Sequence, residues 1–238
     1  MSKYSQEAAK QEIYKAINFL SQNKFSEAES ICKDLLLDHE NSDAYHILSS
    51  LKLKNKEFDA SIEMVNKALN IDSSNIGYHV TLGCAQSSIK KYADAVKTFQ
   101  NAIEIDNKVP QVHFYLGEAY RQLKKYNLAI KAFKNTVKIN KDHPSAFLLL
   151  GISYVEIKGF EQAKNAFKKC IKMSPDFAEA HINLAMVHLL TGNYKEGWSL
   201  YEFRHERSSD LERLKEERHG SYKRKQKLVL LHCMNCRL

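Results

Sequence analysis

Large and small apolar residues recur along this chain with a constant period of 34 residues. Each period contains a leucine, a small residue directly after it, and an aromatic residue ten positions after the leucine. A second small residue and a second large residue follow three and seven positions after that aromatic residue. The five leucines are Leu48, Leu82, Leu116, Leu150 and Leu184. A constant period of this length predicts an array of stacked structural repeats.

Residues 144–177 show what one period encodes. Pro144 suits the first position of a helix, where its missing N–H costs nothing. Apolar residues then recur at spacings of three and four, which predicts one face of an amphipathic helix. This first face contains Phe147, Leu150, Gly151 and Tyr154. After the break at Lys158-Gly159, a second such face contains Phe160, Ala163, Phe167 and Cys170. Each period therefore predicts a helical hairpin, which buries its apolar face by stacking on its neighbours.

The period divides the chain into five clear units and one degenerate unit. The clear units are 42–75, 76–109, 110–143, 144–177 and 178–211. The degenerate unit spans 9–41, and its Phe25 stands one residue short of the period before Phe58. A polar segment over 1–8 comes first. The array proper ends at 204, and 205–238 is predicted to be a charged linker with a strand-like end.

The pattern of 144–177 resembles the tetratricopeptide repeat family. Its aromatic, leucine, small residue and tyrosine are followed by the family's Ala, Phe, Ala and Pro, except that Cys170 replaces the last alanine. The resemblance implies an all-α fold, a right-handed superhelical solenoid of 34-residue helix-turn-helix repeats. Because this scaffold serves many ends, the resemblance specifies the fold more closely than the function.

Composition agrees with a helical protein. The chain has only 8 glycines and 3 prolines in 238 residues, about half of average usage or less. No apolar run approaches the ~18 residues of a spanning helix, and the first residues lack the apolar region of a secretory signal. Five irregularly spaced cysteines are not a disulfide framework. We therefore expect a cytoplasmic protein that does not bind membranes.

The net charge of +8 is unevenly distributed. Residues 205–238 hold nine Lys/Arg and five Asp/Glu, so this short segment supplies half of the charge. The rest of the chain is only mildly basic, which argues against a nucleic-acid footprint along the whole molecule.

No residue pattern indicates catalysis, a cofactor or a metal. There is no Gly-rich phosphate loop and no nucleophile elbow. His79, His113 and His181 share one repeat position, and residues a repeat apart are too distant to bind one metal ion. We interpret them as half-buried packing residues. Cys233 and Cys236 form a single C-x-x-C without the second ligand pair that structural zinc requires, so a metal or redox site there is only a minor alternative.

The concave face of the superhelix is the candidate binding surface. In the family, the second, fifth, ninth and twelfth residues of each unit line this face, and the resemblance implies the same here. These positions are small and polar in the N-terminal half and apolar in the C-terminal half. An exposed apolar strip usually binds a partner, although another part of this chain could cover it. The predicted binding residues are Phe114, Glu118, Arg121, Leu148, Ile152, Val155, Ile182, Asn183 and Met186.

This chain lacks the residues on which two specialised binding modes of the family depend. Members that clamp a C-terminal carboxylate use lysine and asparagine on this face, and neither occurs here at the fifth or ninth position. The array of O-linked N-acetylglucosamine transferase carries asparagines just before the leucine, and only Asn183 matches that pattern. Neither mode is predicted for this chain.

The last unit carries a second resemblance. The string Gly197-Trp198-x-x-Tyr201-Glu202-x-Arg204 resembles the closing repeat of bacterial tetratricopeptide proteins that continue into a glycosyltransferase-like domain. By that resemblance, 205–226 is a linker and 227–232 (KLVLLH) is a first β-strand. Because a strand is not stable without neighbours, we interpret it as the start of a sheet lost by truncation or a frameshift near residue 232.

Two functional hypotheses follow. The first is a non-enzymatic protein–protein interaction scaffold that binds a segment of a partner protein or peptide in the groove. The alternative is the N-terminal part of a glycosyltransferase without its catalytic domain. Under either hypothesis we predict no enzyme activity and no cofactor. Arg121 is the only lysine or arginine among the predicted groove positions of the five units, so nucleic acid is not an expected partner. The oligomeric state is left open.

Overall fold

The computed structural model describes residues 5–206 and the side chains as far as residue 201. The described residues form twelve α-helices joined by short turns. The helices are α1 (Gln6–Ser21), α2 (Phe25–Leu36), α3 (Ser42–Lys54), α4 (Phe58–Ile71), α5 (Ile76–Ser88), α6 (Tyr92–Ile105), α7 (Pro110–Gln122), α8 (Tyr126–Ile139), α9 (Pro144–Glu156), α10 (Phe160–Met173), α11 (Ala178–Leu190) and α12 (Tyr194–Glu206). The predicted strand at 227–232 and the cysteine pair at 233 and 236 lie outside the described residues.

The helices pack in sequential pairs and the pairs stack. Each odd-numbered helix packs against the even-numbered helix that follows it, and each even-numbered helix packs against the next odd-numbered one. Successive odd-numbered helices also touch one another from α1 to α11. In a curved stack the elements that approach most closely lie on the inside, so the odd-numbered helices line the concave face. The prediction of an all-α, right-handed superhelical solenoid is confirmed.

Recurring residues begin the odd-numbered helices. The side chains of Asn41 and Asn75 accept hydrogen bonds from the backbone N–H groups of Ala44 and Gly77, at 2.9 Å in both cases. These bonds satisfy donors that the first helical turn leaves without a partner. α7 and α9 begin instead with a proline, whose missing N–H removes one such donor.

The first hairpin starts earlier than its sequence suggests. α1 begins at Gln6 rather than at residue 9, because Ser5 caps the helix and its hydroxyl oxygen accepts from the Ala8 N–H at 3.2 Å. Part of the polar segment expected at 1–8 is therefore the first turn of a helix. No helix in the described range is long and apolar enough to cross a bilayer.

The core lies between the two helices of each hairpin and between neighbouring hairpins. Its largest fully buried residues are Tyr78 on α5 and three phenylalanines of even-numbered helices, Phe99, Phe133 and Phe167. Each phenylalanine ring packs against a glycine of the preceding odd-numbered helix, and that glycine has no side chain to hold the helices apart. This packing fixes the odd-numbered helices as a rigid lining for the groove.

Candidate functional site: the concave face

The N-terminal part of the concave face is a polar network that joins two repeats. His46 Nε2 lies 2.9 Å from Thr81 Oγ1, and the Tyr78 hydroxyl donates to Asp43 Oδ1 at 2.7 Å. The ring centroids of His46 and Tyr78 are 4.8 Å apart. Burial lowers the pKa of His46 below its ordinary value, and burial raises the pKa of Tyr78 to about 12. The polar side chains of this region therefore bond largely to one another and join α3 to α5.

An open depression of about 320 Å³ follows, between α5 and α7. Its lining residues are Cys84, Ser87, Ser88, Tyr92, Phe99, Tyr115, Glu118, Ala119 and Gln122. Burial raises the pKa of Cys84 to about 11, and the charge of Glu118 acts in the same direction. A thiol with such a pKa is protonated at neutral pH and is not a nucleophile. The depression is therefore suited to holding a side chain rather than to covalent chemistry.

Glu118 and Arg121 lie together on α7, and both are half-buried. Burial raises the pKa of the Glu118 carboxyl, whereas the Arg121 charge opposes that shift. The two groups place one acceptor and one donor at the midpoint of the groove. Such a pair can hydrogen-bond to the backbone of an extended segment that crosses α7.

Phe114 is held within the array more than its sequence position suggests. Its ring stacks on His143 with centroids 4.8 Å apart, and it also contacts the rings of Tyr115 and Phe133. Because His143 caps α9, this stacking joins the third unit to the fourth. Phe114 remains half-buried, so part of its ring still lies at the groove surface.

Leu148 is not an open groove residue. It is only 4% exposed and belongs to the core cluster that includes residues of α8, α9, α10 and α11. α7 and α11 both contact α9, so they cover a long side chain at the fifth position on the inside of the curve. The expectation that Leu148 takes part in an exposed apolar surface is wrong.

Four predicted apolar residues do remain partly exposed on the concave face. Ile152 and Val155 on α9 and Ile182 and Met186 on α11 are all half-buried. We call these four residues the apolar strip. Asn183 lies beside them, but its side-chain amide donates to the Glu179 carbonyl of its own helix at 2.8 Å. The C-terminal part of the groove is therefore apolar at its surface.

The repeated histidines have a structural role that sequence reasoning identified only in part. Nε2 of His79, His113 and His181 lies 2.9, 2.9 and 2.8 Å from the carbonyl oxygens of Ser73, Asn107 and Pro175. Since a carbonyl accepts, Nε2 is the donor in each case. Each imidazole is buried and ties the loop between two units to the helix that follows it. Each histidine follows the residue whose carbonyl it contacts by six positions. This constant separation was the signal in the sequence, because it recurs with the 34-residue period.

Within residues 5–206, no group of three or more His, Cys, Asp or Glu side chains is placed to hold a metal ion. The groove instead offers aromatic, aliphatic and hydrogen-bonding groups on a rigid lining. That combination suits the recognition of a polypeptide.

Comparison with known families identifies the class of protein. Models of the tetratricopeptide repeat match residues 42–75, 85–123, 117–158 and 148–202. The chain therefore belongs to the tetratricopeptide repeat family. No curated protein sequence matches it.

Solved structures share the fold at low sequence identity. PilF of Pseudomonas aeruginosa superposes with a TM-score of 0.73 at 19% identity, over 89% of this chain and 98% of PilF. The solved chain of Desulfovibrio magneticus MamA, which runs from residue 41 to the end, gives a TM-score of 0.66 at 17% identity, over 71% of this chain and 97% of that one. YrrB, described as a TPR protein with an unusual peptide-binding site, gives 0.62 at 19% identity, over 72% and 89% of the two chains.

Proposed function

We propose that this chain is a non-enzymatic scaffold that binds an extended segment of a partner protein in its concave groove. The observation that carries the proposal is the apolar strip, which stays partly exposed although it lies on the inside of the array. A contiguous apolar surface of this kind costs free energy in water, and a partner that covers it recovers that free energy. The description of YrrB as peptide-binding supports the same use of a related fold.

The chemistry of the groove residues also favours one kind of segment. Apolar side chains of the partner would pack on the strip along α9 and α11, and its backbone would meet Glu118 and Arg121 on α7. Polar or small side chains would lie over α3 and α5, where the surface residues already bond to one another. A segment with an apolar half and a polar half fits this order.

Selection from a random peptide library tests the proposal. Peptides that bind the full chain are then measured against a variant carrying Ile182→Glu and Met186→Glu, which places two charges in the apolar strip. A matched control carries Ile105→Glu and Ile139→Glu, at positions that are 42% and 40% exposed at the ends of α6 and α8. We expect the groove pair to weaken binding by more than about tenfold and the control pair to change it little. Equal effects from both pairs, or no selected peptides, would contradict the proposal.

The glycosyltransferase hypothesis stays a prediction. The string that suggests it lies in α12, where the rings of Trp198 and Tyr201 meet edge to face with centroids 6.0 Å apart. The family matches end at residue 202, and the predicted strand at 227–232 lies outside the described residues. Reading the gene downstream in all three frames tests this hypothesis, because a glycosyltransferase domain should then be encoded there.

A further inference from the structure

In four of the turns that follow odd-numbered helices, the second residue after the helix is a lysine in the left-handed backbone conformation. Lys56, Lys90, Lys124 and Lys158 have φ values of 63°, 62°, 57° and 61° and follow one another at the 34-residue period. Glycine or asparagine is the usual residue there, because any other side chain strains the backbone. The first and last turns of this kind do carry Asn23 and Gly192. The four lysines therefore occupy positions that other residues would fill with less strain.

The same turns concentrate positive charge on one edge of the solenoid. Residues 55–57, 89–91, 123–125 and 157–159 contain six lysines and a single acid, Glu57. Glu57 is already paired with Lys52 at 2.8 Å. The six lysines are all exposed, and none of them forms an ion pair or a cation–π contact with another described residue. We call them the lysine edge: Lys56, Lys90, Lys91, Lys124, Lys125 and Lys158.

Local helix stability does not account for these lysines. In each turn the C-terminus of one helix meets the N-terminus of the next, so the two helix dipoles favour opposite charges at the same place. Lys91 and Lys125 even stand at the N-caps of α6 and α8, where a cation faces the positive end of the dipole and makes no side-chain capping bond. Asn, Ser or Asp would stabilise those positions better.

The charge is also separated across the molecule. The opposite edge, formed by the loops 37–41, 72–75, 106–109, 140–143 and 174–177, carries six acids and two lysines. The lysine edge is therefore a distinct positive surface, because the positive charge is not spread evenly over the protein.

We propose that the lysine edge is a second interaction surface, separate from the groove, that binds an acidic segment of a protein partner. The charge of the edge is complementary to such a segment, and the net charge of +8 assists its approach. An extended chain can follow the superhelical path of the turns, whereas a flat bilayer touches only part of it. The edge has no arginine, the residue that proteins favour for planar, bidentate phosphate contacts. An acidic polypeptide is thus favoured over nucleic acid or membrane.

Glycine substitution separates a binding role from a structural one. The variant Lys56→Gly, Lys90→Gly, Lys124→Gly and Lys158→Gly removes four charges and relieves the left-handed strain. A matched control, Lys97→Gln, Lys131→Gln, Lys138→Gln and Lys172→Gln, removes four charges from exposed positions on even-numbered helices. The probe is a fluorescein-labelled oligoglutamate, measured by anisotropy with the full chain at several salt concentrations.

We expect the glycine variant to keep or raise the unfolding midpoint and to lose at least about tenfold in oligoglutamate affinity. The control should lose less than about threefold. Lys91→Gln with Lys125→Gln, which leaves the left-handed positions unchanged, should also weaken binding. Affinity should fall as salt rises.

Four results would overturn the proposal. The first is an equal loss in the control, which would mean that only net charge matters. The second is a lower midpoint in the glycine variant, which would mean that the lysines serve the fold. The third is tighter edge-dependent binding of polyuridine or of phosphatidylserine vesicles than of oligoglutamate. The fourth is self-association of the free chain that the glycine variant abolishes.

Discussion

A Cβ atom placed on Gly151 would lie 2.4 Å from Cε1 of Phe167. Such a distance is far inside van der Waals contact, so the absence of a side chain at Gly151 sets how closely α9 and α10 approach. The same relationship joins Gly117 to Phe133, with a distance of 2.6 Å. The small residue after the leucine and the second large residue of the 34-residue period therefore contact each other.

Gly151→Ala should destabilise the array by ~1–3 kcal/mol, because the new methyl group forces the buried Phe167 ring or one of the helices to move. Urea unfolding followed by circular dichroism measures the change. Lys131→Ala, at an exposed position on α8, should stay within about ±0.5 kcal/mol. A neutral Gly151→Ala variant would show that the two helices are not in the contact described.

The first clear unit solves the same packing problem differently. Ser49 stands where the next three units have glycine, and Val65 stands where those units have phenylalanine. The Ser49 hydroxyl donates to the Ser61 carbonyl oxygen at 2.9 Å. We therefore expect Gly151→Ser and Phe167→Val together to lower the unfolding free energy by less than the sum of their separate effects. The smaller valine side chain at position 167 leaves room for the serine hydroxyl at position 151. Additive losses in a double-mutant cycle would contradict this explanation.

His113→Phe should cost ~0.5–1.5 kcal/mol, because it keeps an aromatic ring but removes the hydrogen bond to the Asn107 carbonyl. Phe147 occupies the equivalent position of the next unit, so the ring itself is accommodated there. The unfolding free energy of the variant checks the estimate. If Phe at this position were as stable as His, the bond to the inter-repeat loop would contribute nothing measurable.

Leu148 and Ile182 should respond differently to truncation although both stand at the fifth position of their units. Leu148 is buried, so Leu148→Ala should cost ~2–5 kcal/mol. Ile182 is half-buried, and its truncation should cost clearly less while weakening the binding of a selected peptide. Chemical denaturation and peptide titration of both variants distinguish the two roles. Equal losses of stability would place Ile182 in the core.

Stability should fall in mild acid through His188. Burial, reinforced by the charges of Lys164 and Lys168, holds the pKa of His188 below its ordinary value. The unfolded chain therefore takes up a proton near pH ~6.5, before the folded chain does. Stabilisation that is complete above this pH is lost as pH falls towards the folded-state pKa.

Unfolding free energies measured between pH 7.5 and about 5 test this expectation. His188→Tyr, which places at this site the residue found at Tyr120 and Tyr154 in earlier units, should flatten the profile. His46 has a lowered pKa as well, so some dependence should remain until it too is replaced. An unchanged profile in His188→Tyr would exclude His188 as the source.

The fold was accessible from the sequence because its determinants are local and periodic. Leu150, Gly151 and Phe167 stand at positions whose size alternation is visible in the chain and recurs in every unit. The solvent exposure of individual groove residues was harder to predict from the sequence. Whether Leu148 is covered depends on how closely α7 and α11 approach α9, and that distance depends on packing throughout the stack.

The lysine edge was missed for a different physical reason. Residue preferences place glycine or asparagine at left-handed positions, so a lysine there gives no sequence signal of its conformation. Once the backbone of Lys90 and Lys124 is known, their common period becomes informative. Asn23 and Gly192 at the equivalent turns are the residue types that adopt this conformation with less strain.

Site-specific photo-cross-linking tests the central claim most directly. Met186, in the apolar strip, is replaced by p-benzoylphenylalanine in the full chain inside its own cells, and Ile105, on α6 away from the groove, is replaced in a second strain. If the groove holds a segment of a partner protein, light should produce discrete cross-linked species from position 186 that the Glu118→Ala and Arg121→Ala variants diminish. Cross-links from position 105 alone, or identical species from both positions, would contradict the account.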